Sequence, residues 1–166
     1  MTPPPLLLLA LFPAAVIFAG IRDLTTFTIP NWISLAIIAL FFPVALITHL
    51  SLPHLEGAVL VGLAALVLGV GLFALGWIGG GDAKLLAASA LWMGWPAVLP
   101  FLIWTSVAGG LLSVALLASR KVAGYYPLGG PAWFGRLMQP GGPAPYGLAI
   151  AAGGLIAFPY SALIHP

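Results

Sequence analysis

Three carboxylates are all the acid this 166-residue chain has: Asp23, Glu56 and Asp82. Only 5% of the sequence is charged, so each of them needs a reason. Asp82 stands in Trp77-Ile78-Gly79-Gly80-Gly81-Asp82-Ala83-Lys84-Leu85-Leu86, an acid and a base between two apolar runs. Glycines directly before the acid let the backbone approach another segment closely or take positive φ at little cost. A carboxylate at a membrane boundary is expensive to desolvate and is a functional candidate by default. The plain alternative is that Asp82 N-caps the helix that follows, a position aspartate favours. Asp23 weighs against that alternative. It closes an apolar run, where the helix macrodipole disfavours a negative charge, whereas Asp82 opens one, where the dipole favours it. Two carboxylates in unequal surroundings can share one proton, because like charges a few ångströms apart do not both ionise. The ionised member then activates water as general base, and the protonated member polarises a scissile carbonyl.

The elements that must position this pair are membrane helices. Hydrophobic residues make up 62% of the chain and the mean hydropathy is +1.17, more than a soluble core of this size uses. The expected fold is all-α: a polytopic membrane protein, one domain over residues 1–166, with six transmembrane helices of which the fourth is short. The apolar run Leu6 to Ile21 is a retained first span, since Met1-Thr2-Pro3-Pro4-Pro5 lacks the basic n-region of a signal peptide. Pro13 is expected to kink it. A polar link with Pro30 and Asn31 leads to a second span, about Trp32 to His49, and a link over Leu50 to Leu55 leads to a third, about Glu56 to Ile78. Gly62, Gly69, Gly71 and Gly76 suit close helix packing there. The fourth run, Lys84 to Gly94, stops at Gly94-Trp95-Pro96, and the fifth goes from about Pro96 to Ser119. Arg120 to Ala144 reads as one long Gly/Pro-dense loop, irregular through most of its length and placed to help receive a substrate. Its Tyr125, Tyr126, Trp133 and Phe134 suit the headgroup region. The sixth span is about Pro145 to Leu163.

Charge orients the bundle. Arg22, Lys84, Arg120, Lys121 and Arg136 fall in three links that six spans place on one side. The positive-inside rule makes that side cytoplasmic, with both chain ends outside and both aspartates at the cytoplasmic boundary. Five basic residues are too sparse for a nucleic-acid footprint. The absence of cysteine removes disulfides and thiol chemistry. His49, His54 and Glu56 cluster in one link, but on the side away from the aspartates and without a further ligand, so no metal and no cofactor is expected. No Ser/His/Asp grouping stands out.

These residues resemble a known family. Gly79-Gly80-Gly81-Asp82 fits the GxGD signature of intramembrane aspartic endopeptidases, and Asp82-Ala83-Lys84 matches the GxGDxK variant of the prepilin peptidases. Asp23 with Ile29-Pro30-Asn31 looks like their first-aspartate region. Pro143-Ala144-Pro145-Tyr146-Gly147-Leu148-Ala149-Ile150-Ala151-Ala152-Gly153 is similar to their last-helix motif. The resemblance implies Asp23 and Asp82 as catalytic residues and Gly79, Gly81, Lys84, Pro30, Asn31 and Tyr146 as substrate-binding or supporting ones. It implies removal of the leader from type IV-like prepilins at the cytoplasmic face of a bacterial inner membrane. Prepilin and the lipid bilayer are then the expected partners, with pilus-assembly proteins beside them. The chain lacks the cysteine-bearing N-terminal region of the long, N-methylating members, so it looks like the short form associated with tight-adherence (Flp-type) pili. The presenilin-type branch is less similar: Asp23 follows Arg22 rather than tyrosine, and no Pro-Ala-Leu occurs. Lys84 can orient substrate, hold the charge of Asp82 or anchor in headgroups. Tyr146 can hydrogen-bond near the site or anchor at the interface. Two rival readings are a small transporter or channel, since Gly-rich breaks and buried acids mark ion paths, and a non-enzymatic assembly subunit. Aspartates at the membrane edge argue against the first, and retention of both argues against the second.

Overall fold

The computed structural model describes residues 6–123 and 131–164. The described residues are helical, with no strand among them. A single turn α1 (Leu6–Leu9) leads into α2 (Leu11–Thr26), followed by α3 (Asn31–Ile47), α4 (Leu52–Ala74), α5 (Gly80–Ala123), α6 (Ala132–Leu137) and α7 (Tyr146–Ala157), which ends in a 3₁₀ turn, Phe158–Tyr160. Three stretches are long and apolar enough to cross a membrane: Leu7–Thr26, Leu52–Ala74 and Gly80–Val122. The helices Asn31–Ile47 and Tyr146–Tyr160 are apolar but shorter.

Several expected boundaries move. Pro13 follows a break in the first span, which is interrupted at Ala10 between α1 and α2. It lies in the first turn of α2, where its missing N–H is no loss. The link expected over Leu50 to Leu55 is shorter, because Pro53 sits in the first turn of α4, where its fixed φ suits a helix start. Gly94 separates two arms of α5. Its φ of 60° and ψ of −170° belong to a region open to glycine alone, so the chain folds back there.

The contacts show that α5 is a hairpin. At its start, Lys84 donates to the side chain of Asn31, the first residue of α3. At the fold-back, Trp92 lies in a buried aromatic cluster with Phe12 at the beginning of α2, Phe41 late in α3 and Phe158 just after α7. Its Nε1 donates to the Ile37 carbonyl at 2.8 Å, and its own carbonyl accepts from Ser161 Oγ at 2.7 Å. The second arm then returns along α7. A Cβ on Gly153 would overlap Thr105, and a Cβ on Gly109 would touch Tyr146. The first arm rises about 20 Å over its fourteen residues, short against a hydrocarbon core of roughly 30 Å.

Two parts of the connection between α5 and α7 are helical among the described residues. Helix α5 continues to Ala123, and α6 occupies Ala132–Leu137. Arg120 closes the loop by donating to the carbonyls of Leu137 (Nε, 2.8 Å) and Pro143 (Nη2, 2.9 Å). Arg136 lies 5.7 Å over the Phe27 ring, which brings α6 to the end of α2. The expected irregular centre of the loop, with Tyr125 and Tyr126, lies outside the described residues.

Candidate functional site

Asp23 is in the last turn of α2 and is 5% exposed. The helix stops four residues later because Phe27 takes a left-handed conformation, φ 55°, and its N–H returns to the Asp23 carbonyl at 2.8 Å. An aromatic residue in that region is strained by about 1–3 kcal/mol, and such strain clusters beside functional sites. The turn aims Thr28 and Ile29 across the end of the bundle. Ile29 then packs on the backbone before Asp82: a Cβ on Gly81 would lie 3.1 Å from the Ile29 Cβ and 3.2 Å from its carbonyl oxygen. Of the two uses open to those glycines, the structure takes close approach. None of Gly79, Gly80 and Gly81 has positive φ.

Each carboxylate is held by a backbone N–H from a helix start. Gly147, second residue of α7, donates to Asp23 Oδ2 at 2.7 Å. That donor is one of the orphan N–H groups every helix N-terminus carries. The unfavourable dipole of α2 is therefore met by the favourable one of α7. A side chain at position 147 would force its neighbours to shift: a Cβ there would lie 2.9 Å from Asp23 Oδ2 and 2.8 Å from Ile29 Cδ1. Asp82 is the third residue of α5, and its Oδ2 accepts from Gly79 N at 3.2 Å. This is the returning half of a capping box, so Asp82 braces the helix from inside rather than standing as its N-cap. The cap position itself is Gly79.

Asp23 and Asp82 line one cavity of about 240 Å³, together with Phe27, Thr28, Ile29, Gly79, Gly80 and Gly81. Asp82 also borders a larger groove of about 500 Å³ between α4, both arms of α5 and α7. Here a carboxylate that takes a proton from water and one that gives a proton to a carbonyl would face the same small volume.

The other residues singled out from sequence divide. Gly79 and Gly81 are in the aspartate cavity. Tyr146 lines the larger groove, with its hydroxyl 3.3 Å from Ser113 Oγ. Pro30 caps α3 in an extended conformation. Lys84 does not turn to Asp82. Its Nζ donates to Asn31 Oδ1 at 2.8 Å, and the two border a separate cavity between α3 and α4. His54 pairs with Ser51 at 2.9 Å, and no group of metal-ligating side chains occurs among the described residues. Gly147 was quoted within the last-helix motif but not as a site residue. Ile29 stands likewise within the first-aspartate motif without being a site residue there, and Phe27 carries no local signal that marks it for left-handed geometry.

Fold and site together define a class: a helical membrane protein whose two buried-end carboxylates face one pocket, each tied to a helix N-terminus. A model described as the type IV leader peptidase family matches residues 10–114, well over half of the chain, and the chain belongs to that family. Membership makes it a protease of the prepilin-leader type. The matched stretch holds both aspartates and ends before α6 and α7, which bring Arg136 and Gly147 to the site. No curated protein and no solved structure matches the chain.

Proposed function

We propose that the chain is an aspartic endopeptidase of the inner membrane that cuts type IV-like prepilins, of the Flp type, with Asp23 and Asp82 as its catalytic pair. The observation that carries this reading is the shared cavity: residues 59 positions apart face one small volume, each fixed by a backbone donor. Between them the two carboxylates hold one proton. The ionised one takes a proton from water as the oxygen attacks the scissile carbonyl carbon. The protonated one gives its proton to the carbonyl oxygen, forming a gem-diol. In the collapse the protonated carboxyl gives its proton to the leaving nitrogen, the ionised one takes a proton from a diol hydroxyl, and the C–N bond breaks, which leaves a carboxylic acid, an amine and the pair with its one proton. No outside co-reactant is needed besides water.

The proposed topology has six crossings with the aspartates at the cytoplasmic face. The hairpin at Gly94 supports it, since it returns Arg120 to the end where Asp23, Lys84 and Arg136 lie. Three of the five basic residues, Lys84, Arg120 and Arg136, are thus gathered at the aspartate end through contacts as well as through sequence order. The testing experiment is co-expression with a candidate Flp-type prepilin. Leader removal is expected from the wild type and from neither Asp23→Asn nor Asp82→Asn.

A further inference from the structure

The cavity bordered by Lys84 is unused by this chemistry. Helices α3 and α4 are consecutive in the chain, yet each packs chiefly on α5, where Asn31 and Ile37 of α3 and Gly62 and Gly69 of α4 meet its first arm. The gap left between them is a cavity of about 450 Å³. Its walls are apolar: Ile38 and Phe42 of α3, Leu63 and Leu66 of α4, and Leu91 of α5. From Asn31 and Lys84 at one end to Phe42 and Leu91 at the other it follows α3 and α5 for about 10–16 Å, at 1.5 Å per residue.

Three polar groups at one end make this more than a greasy gap. The Lys84 ammonium has three N–H donors, of which the bond to Asn31 takes one. The Asn31 amide, whose oxygen accepts that bond, keeps its NH₂ donors for something else. One turn deeper, Ser34 is 3% exposed and lines the cavity, and its Oγ has no hydrogen-bond partner. A buried hydroxyl without a partner is destabilising, so a missing acceptor is expected there.

We infer that this cavity binds one anionic glycerophospholipid. The phosphate meets Lys84 and Asn31, an ester carbonyl accepts from Ser34 Oγ, and an acyl chain fills the space between α3 and α4. The order of the groups carries the assignment: cation and amide at the mouth, a single hydroxyl donor one turn in, and hydrocarbon beyond it. A glycerophospholipid presents its phosphate, ester and chain in that order. The mouth is at the aspartate end of the bundle, so in the proposed topology the lipid belongs to the cytoplasmic leaflet, which is where anionic headgroups attract basic residues.

The test is native mass spectrometry on the full-length protein, stripped of lipid in detergent and titrated with phosphatidylglycerol or phosphatidylcholine. One phosphatidylglycerol should bind saturably, about tenfold more tightly than phosphatidylcholine, as one charge-assisted contact gives. Lys84→Gln should abolish that preference, Lys84→Arg should keep it, and Ser34→Ala should weaken phosphatidylglycerol binding several-fold. Leu63→Trp, which fills the cavity from the α4 side, should remove the bound lipid and decides the matter if the Lys84 variant does not fold. Millimolar inorganic phosphate should not displace the lipid. Asp82→Asn should bind lipid like the wild type, which keeps this result separate from the protease assignment. Undiminished phosphatidylglycerol binding by folded Ser34→Ala and Leu63→Trp would overturn the inference. So would displacement by free phosphate or by a prepilin leader peptide.

Discussion

Gly147 shows what a single hydrogen atom in place of a side chain does for this site. The donor for Asp23 comes from 124 positions away, and only glycine lets the first turn of α7 come within 2.7 Å of the carboxylate. Gly147→Ala should keep the fold and displace either Asp23 or Ile29. Because misplacement of a catalytic group by about 1 Å costs on the order of 100-fold, leader removal should fall by about that factor. A time course of prepilin processing measures it, and unchanged processing would remove Gly147 from the site. Asp82 has two roles that substitution can separate. Asn can still accept the Gly79 N–H, whereas Ala cannot. Asp82→Asn should therefore unfold at the wild-type temperature, while Asp82→Ala should lose about 1 kcal/mol of stability. Thermal melts in detergent distinguish the two. The aspartates themselves were legible in the sequence because an acid is so rare in it. Their donors were not, since a partner 124 residues distant depends on how helices pack and leaves no local pattern.

Among the elements, α5 decides the architecture, and Gly94 decides α5. Its conformation is closed to residues with a Cβ, and a Cβ there would also meet Ala58 of α4 at 3.6 Å. Gly94→Ala should cost about 1–3 kcal/mol. The expected readout is a melting temperature lowered by several degrees with helix content by circular dichroism unchanged, and a melt equal to the wild type would contradict the hairpin. This break was readable beforehand, since Gly94-Trp95-Pro96 combines the two strongest helix punctuators. The helix α6 was not. Proline and glycine density marks where long regular structure is absent, but the six residues Ala132–Leu137 fit between Pro131 and Met138 and are held by Arg136 over Phe27. The early start of α4 was missed for a related reason. Pro53 reads as part of the link over Leu50 to Leu55, whereas proline in a first turn begins a helix.

For the whole molecule, one end of the bundle gathers the aspartates, Lys84, Arg120 and Arg136, while the other buries the aromatic cluster around Trp92. A membrane sets the first end toward the cytoplasm if the positive-inside rule holds. Reporter fusions after residues 26 and 136 should then read cytoplasmic and one after residue 50 external. An external reading after residue 136 would remove the fourth crossing. The broad class was plain from composition, because 62% hydrophobic residues leave few alternatives to a bilayer. The span count is harder to read, since the first arm of α5, α3 and α7 are all short for a bilayer crossing and only their packing relates them. The central claim is that the two carboxylates do the chemistry, and one measurement reaches it most directly: processing of a co-expressed Flp-type prepilin by the Asp82→Asn protein. The account predicts a well-expressed, folded variant that leaves the leader in place, with the double mutant Asp23→Asn/Asp82→Asn no worse than either single one. Leader removal by folded Asp82→Asn at a rate near that of the wild type would contradict it.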